Sequence, residues 1–133
     1  MSRFVKPIVK RLMFADRKDF IEVKQELSIG DQRRLEAAGM KRVQRKQPNG
    51  LYTTELEVDW ETFSLARAEV WLTGWSLTNE QQEPVSLTYS AIKALTPETF
   101  AEIEDLISGH ILAMDQEKKL KATPSASDGT TTS

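Results

Sequence analysis

The chain has 133 residues, 39% of them hydrophobic, and its 18 Lys and Arg against 20 Asp and Glu give a net charge of −2. That length supports one domain with a real core, and the near-neutral balance provides no overall field for drawing in nucleic acid. Cysteine is absent, which excludes a disulfide framework and a thiolate metal site and fits a reducing compartment. No run approaches the roughly 18 apolar residues of a membrane span, and the basic N-terminus lacks a signal-like apolar stretch. A soluble intracellular protein is the expectation.

Residues 1–18 are basic, with Arg3, Lys6, Lys10, Arg11, Arg17 and Lys18. Pro7 discourages an early helix, while Ile8, Val9, Leu12, Met13 and Phe14 supply strand-forming side chains. The phrase Phe20-Ile21-Glu22-Val23-Lys24 interleaves apolar and charged residues, as a half-buried strand does. A turn over Ala15 to Lys18 would let these two segments pair. Two strands alone are marginal, so helices must cover them.

Ser28 or Gly30 can cap a helix running through Leu35 to Met40, with Asp31 favourable in its first turn and Gly39 ending or fraying it. Lys41, Arg42, Arg45 and Lys46 follow, then the turn signal Pro48-Asn49-Gly50. Residues 51–58 alternate loosely and read as a strand or an extended connection. The whole of Lys41 to Leu56 is expected to be the most mobile part of the domain.

Asp59 is positioned to cap a helix from Trp60 to Trp75, with Phe63, Ala66, Val70 and Leu77 on one stripe and Leu65, Leu72 and Trp75 widening it. Trp71 and Trp75, four residues apart, would then share a face. Polar and turn-forming residues occupy Thr78 to Pro84, and Val85 to Leu95 recovers helical character. Thr96 then caps a last helix with Pro97 in its first position. Phe100, Ile103, Ile107, Ile111 and Met114 mark its apolar face, expected to meet the Phe63/Val70 stripe. From Ala122 the composition turns to Thr, Ser, Pro, Gly and Asp, which cannot bury enough surface to order. The expected architecture is α+β and predominantly helical: a short N-terminal strand pair on a small helical domain over 1–121, and a disordered tail over 122–133.

No residue set carries catalysis, a cofactor or a metal. His110 is the single histidine, beside the Ile107/Ile111 face, where a structural role is the simplest reading. Scattered helix-surface carboxylates do not complete a ligand set for it. The pairs Glu102/Asp105 and Glu80/Glu83 read as solvated faces, and no phosphate loop is present. The basic patch Lys41 to Lys46 has only Tyr52 nearby for base stacking, so a solvated connector outweighs a nucleic-acid site. Trp60, Trp71 and Trp75 exceed the tryptophan a small helical core needs, and tryptophan is enriched where partners dock. With Phe100, Ile107 and Ile111 they form the candidate partner-binding set.

Two phrases carry a family resemblance. The first runs from Asp19-Phe20-Ile21-Glu22-Val23-Lys24 through Ser28 to Gln32-Arg33-Arg34-Leu35 and Gly39. The second comprises Gly74-Trp75-Ser76-Leu77, Pro84-Val85, Ala91-Ile92 and Leu95-Thr96-Pro97-Glu98-Thr99-Phe100, closing on Glu102-Ile103 and His110. Over residues 19 to 115 the chain resembles the tail assembly chaperones of long-tailed, siphovirus-like bacteriophages. In that family an extended Trp-Val-Glu-Val-Lys segment leads into a helix ending Arg-Arg-Leu. A Trp-Ser-Leu tryptophan then precedes a Pro-Val turn and a Leu-Asp-Pro-Glu helix. The chain departs from that pattern at Ile29 and Gly30, where an aromatic is common, and at Thr96, which replaces an acidic cap.

The resemblance implies a non-enzymatic protein that binds the tape-measure protein and keeps it soluble during tail morphogenesis. It further implies the tail-tube protein as a second partner, self-association, work in the host bacterial cytoplasm and absence from the mature virion, with neither nucleic acid nor membrane as partner. A minor structural virion protein, such as a head–tail or tail connector, is the competing reading. A small nucleic-acid-binding regulator using Lys41 to Lys46 is the third.

Overall fold

A computed structural model describes the backbone of residues 3–131 and the side chains of residues 3–120. Beyond Pro7 the chain enters β1 (Val9–Met13), which pairs antiparallel with β2 (Phe20–Lys24), Leu12 lying opposite Ile21. The turn between them is where the sequence placed it. Arg17 takes φ 61°, and the Asp16 carboxylate accepts the N–H groups of Lys18 at 2.8 Å and Asp19 at 3.1 Å. Those two hydrogen bonds to its charged form hold the Asp16 carboxyl below its ordinary range. The alternation in β2 is real: Ile21 and Val23 are fully buried while Phe20, Glu22 and Lys24 are half-buried.

α1 (Ile29–Ala38) starts at Ser28, not Gly30, because Ser28 can reciprocate. Its hydroxyl accepts the Asp31 N–H at 3.1 Å, and the Asp31 carboxylate accepts the Ser28 N–H at 3.4 Å, closing a capping box. Gly39 ends the helix as expected. A Cβ there would stand 2.6 Å from the Phe63 ring, so the absent side chain is what lets Phe63 lie against this corner.

The stretch Lys41 to Lys46, read as a solvated connector, is instead the first strand of a regular hairpin, and residues 51–58, read as a strand or an extended connection, supply the second. β3 (Met40–Lys46) and β4 (Tyr52–Val58) pair over their full length, from Met40 opposite Val58 to Lys46 opposite Tyr52. Gly50, at φ +86°, makes the turn that Pro48-Asn49-Gly50 signalled. The Asp59 N–H then donates to the Gly39 carbonyl at 2.8 Å, closing the base of the hairpin.

Asp59 caps α2 (Trp60–Trp71) by accepting the Thr62 N–H at 3.3 Å and the Thr62 hydroxyl at 3.0 Å. Here a second expectation fails: the helix does not reach Trp75. It stops at Trp71, and β5 (Leu72–Trp75) joins β2 antiparallel, Ile21 facing Trp75 and Glu22 facing Gly74. Without β5, β2 would be an edge strand with unpaired backbone groups beside the core. Gly74 favours the outcome as well, since glycine costs about 1 kcal/mol inside a helix. The N-terminal strand pair is therefore a three-stranded sheet, β1-β2-β5, and Trp71 and Trp75 do not share a helical face.

The segment Thr78 to Pro84 folds back on itself, with the Asn79 side-chain oxygen accepting the N–H groups of Gln81 and Glu83. Helical character over Val85–Leu95 shrinks to α3 (Tyr89–Lys93), capped by Thr88. α4 (Pro97–Thr131) opens as read, with the Thr96 hydroxyl accepting the Thr99 N–H at 3.2 Å. Its backbone is helical as far as Thr131; of the segment 122–133, expected to be a disordered tail, the side chains and residues 132–133 lie outside the described residues.

The core is a single cluster. Ile21 and Val23 of β2 meet Ile103 and Ile107 of α4, all four almost wholly buried, with Phe14, Ala68, Trp71, Leu72 and Ile92 around them. Each large side chain so buried contributes about 1.5–3 kcal/mol. Ile103 and Ile107 face inward as their spacing predicted, but Ala68 and Trp71, with Leu65 half-buried beside them, are the α2 residues that join them. Phe63 is turned toward Gly39, where α2 lies against α1. The result is mixed α+β with two small antiparallel sheets, richer in strand than the sequence suggested.

Candidate functional site

The six candidate residues divide into interior and surface. Trp71 is 7% exposed and Ile107 not at all; both are spent on the core. The Trp71 ring stands edge-on to the His110 imidazole, centroids 5.6 Å apart. His110 Nε2 lies 3.0 Å from the Lys24 carbonyl and 3.1 Å from the Gln25 carbonyl. Carbonyl oxygens only accept, so Nε2 carries the proton and donates. His110 thus ties α4 to the end of β2, the structural role its surroundings in the sequence suggested.

Trp75, half-buried on β5, donates its indole N–H to the Val85 carbonyl at 2.7 Å. That bond pins the connection leading to α3. Ile111, half-buried, lines a cleft of about 170 Å³ with Leu27, Trp71 and Met114.

Trp60 and Phe100 come together at the opposite end. With Leu65 they form the apolar floor of an open groove of about 440 Å³ between the first turns of α2 and α4, edged by Glu61, Ser64 and Glu104. Trp60 is 70% exposed although it sits in the first turn of a helix whose last residue is core. The Asp59 cap fixes where that turn begins. The ring is further steadied by edge-on contact with Phe63, centroids 5.9 Å apart. Below the groove, the Arg67 guanidinium donates to the Glu104 carbonyl at 3.1 Å and the Ser108 hydroxyl at 2.6 Å, locking α2 to α4. The groove is therefore preformed, and two carboxylates stand at its rim.

Its lining is apolar at the floor and acidic at the rim. An apolar floor with an exposed indole accepts an apolar side-chain stripe, and the flanking carboxylates favour Lys or Arg beside that stripe. Among the described residues there is no group of three or more His, Asp or Glu placed to hold a metal ion. None of the described helices is long and apolar enough to cross a membrane.

The sequence singled out Trp60 and Phe100 but not their company. Leu65, read as widening a core stripe, does pack against the core and lines the groove as well; Glu61, Ser64 and Glu104 gave no signal, since only the crossing of α2 over α4 brings them together. Residues 51–58 were read as a possible strand, but the exposed row of Tyr52, Leu56 and Val58 on it was not singled out. Their signal was the alternation Tyr52-Thr53-Thr54-Glu55-Leu56-Glu57-Val58, weakened by threonines where apolar residues would be diagnostic. Scanned against family models, curated proteins and solved structures, the chain gave no match.

Proposed function

We propose that the chain is a tail assembly chaperone of a long-tailed bacteriophage, holding a helical segment of the tape-measure protein in the Trp60–Phe100 groove. The exposed Trp60 over a preformed apolar floor carries this reading, and the resemblance over residues 19 to 115 supplies the partner's identity. A long helical protein awaiting its tube presents repeated apolar stripes to water and aggregates through them. A small domain with a groove for one such stripe masks it without chemistry, which makes the role non-enzymatic. The acidic rim at Glu61 and Glu104 selects stripes flanked by Lys or Arg. On this reading the protein acts in the host cytoplasm, associates with its own copies along the tape-measure protein, yields to tail-tube subunits and is absent from finished particles.

Co-expression followed by pull-down tests it. The chain should keep tape-measure segments soluble and recover them free of nucleic acid. Trp60→Ala should weaken the complex by about 2 kcal/mol or more, the scale of an interface hot spot. Raising salt should weaken it only modestly, because apolar contacts are not screened. Survival of the complex in the alanine variant together with its loss at moderate salt would overturn the reading. Presence of the chain in purified particles would instead favour a structural connector.

A further inference from the structure

The hairpin β3–β4 stands out from the body of the molecule because no residue of either strand is buried. An isolated two-stranded sheet is marginal in water, yet this one presents two chemically different faces. One face carries Lys41, Val43, Arg45, Thr53, Glu55 and Glu57 by the register of the pairing. Arg45 there forms ion pairs with both Glu55 and Glu57, and Lys41 offsets the remaining carboxylate charge. The other face carries a row of Met40, Arg42, Gln44 and Lys46 on β3 beside a row of Val58, Leu56, Thr54 and Tyr52 on β4. Tyr52 is 64% exposed and Leu56 61%. Arg42 and Lys46 form no ion pair among the described residues.

We infer that this second face docks an amphipathic helix of another protein, with an apolar stripe over Tyr52, Leu56 and Val58 and carboxylates over Arg42 and Lys46. Helices and sheets both cover sheet faces, but a two-stranded face, with strands about 4.8 Å apart, has the width of a single helix about 10 Å across, and charge selects which helix. The inner face is already neutralised by its own glutamates, so the two unpaired cations belong to the outer, apolar face, where only an acidic partner answers them. Four residues along a strand separate Arg42 from Lys46 by about 13 Å. On a helix that distance places the matching carboxylates about eight or nine residues apart, a little over two turns.

Two other occupants fit less well. A second copy docking the same face would set Arg42 and Lys46 against themselves. Nucleic acid would find two free cations and four apolar side chains where a phosphate track needs a run of cations. This surface is also distinct from the Trp60–Phe100 groove, whose rim is acidic and selects the opposite charge.

The probe is a synthetic helical peptide with a leucine stripe and two glutamates eight residues apart, and a control in which both glutamates are lysine. Each is titrated into the full chain and followed by peptide fluorescence anisotropy and by backbone amide NMR shifts. The glutamate peptide should saturate, with shifts concentrated between Met40 and Val58, and bind about tenfold or more tightly than the lysine peptide. The pair Arg42→Glu and Lys46→Glu should invert that preference, Arg42→Lys with Lys46→Arg should retain it, and Leu56→Ser should weaken both peptides. Amide dispersion in each variant shows that the hairpin persists.

Equal binding of the two peptides would overturn the inference. So would shifts confined to Trp60, Leu65 and Phe100, competition by duplex DNA for the hairpin amides, or a dimer in sedimentation that the charge reversal dissolves. Failure of the hairpin test leaves tape-measure capture by Trp60 standing, and failure of the Trp60 test leaves the hairpin result standing.

Discussion

The sheet β1-β2-β5 and the hairpin β3–β4 are both antiparallel and both carry charged side chains among apolar ones, yet only one has an interior. β2 places Ile21 and Val23 under α4 and buries both completely, while the longer strands of the hairpin bury nothing. Pairing alone therefore does not make a core. The backbone ladder sets where side chains point, and a covering helix decides whether that arrangement is worth several kcal/mol or almost nothing. The body of the molecule owes its stability to apolar volume, and the arm keeps its apolar residues available for contact.

Stability measurements can break this contrast. Ile107→Ala should cost the most, about 2–5 kcal/mol, seen as a large drop in the urea midpoint, because it opens a cavity under β2. His110→Ala should come next, about 1–3 kcal/mol, since the Lys24 and Gln25 carbonyls lose their donor and Trp71 loses a ring contact.

Asp31→Asn should cost about 1 kcal/mol at neutral pH, the usual worth of a helix-capping interaction. Burial works against ionisation of Asp31, but hydrogen bonds from Lys24, Arg34 and the Ser28 N–H outweigh it and hold its carboxyl below the ordinary value of 3.8. The folded state thus prefers the charged form. The stabilisation is fully present above that ordinary value and is lost as pH falls through the lower, folded one. Denaturation of the wild type and the Asn variant should therefore differ at pH 7 and converge in strong acid. Leu56→Ala should change stability least, within about 0.5 kcal/mol. A Leu56 cost equal to that of Ile107 would mean the hairpin is covered after all and would dissolve the comparison.

How much of this was legible depended on whether a signal was local. Ser28 with Asp31, Asp59 with Thr62, and Thr96-Pro97 are caps defined within one turn, and each starts a helix where it was read. The Ile103/Ile107 period was equally visible, because a long helix repeats its message. Trp71 to Trp75 misled for the converse reason. Their spacing suits a helix, but the residue that decides is Ile21, some fifty positions earlier, whose strand needs a second neighbour. The hairpin was obscured because β3 carries its charges in adjacent pairs, Lys41-Arg42 and Arg45-Lys46, and β4 has the threonines Thr53 and Thr54, so apolar periodicity, the usual mark of a strand, had little to register. The groove was half legible. An unusual density of tryptophan pointed to Trp60, while the two carboxylates at its rim come from separate helices and share nothing in sequence.

The hydrogen bond between the Asp59 N–H and the Gly39 carbonyl has an evolutionary reading. Because the chain leaves at Met40 and returns at Val58 to the same point, everything between is an excursion that the rest of the molecule does not feel. Such a cassette can be lengthened, shortened or exchanged by recombination while the join between α1 and α2 stays intact. Replacing residues 40–58 by a short glycine bridge should leave a folded body, and grafting another hairpin there should transplant its preferences. On the inference that the arm docks a helix, changes of preference there would come at little cost to the fold that carries it.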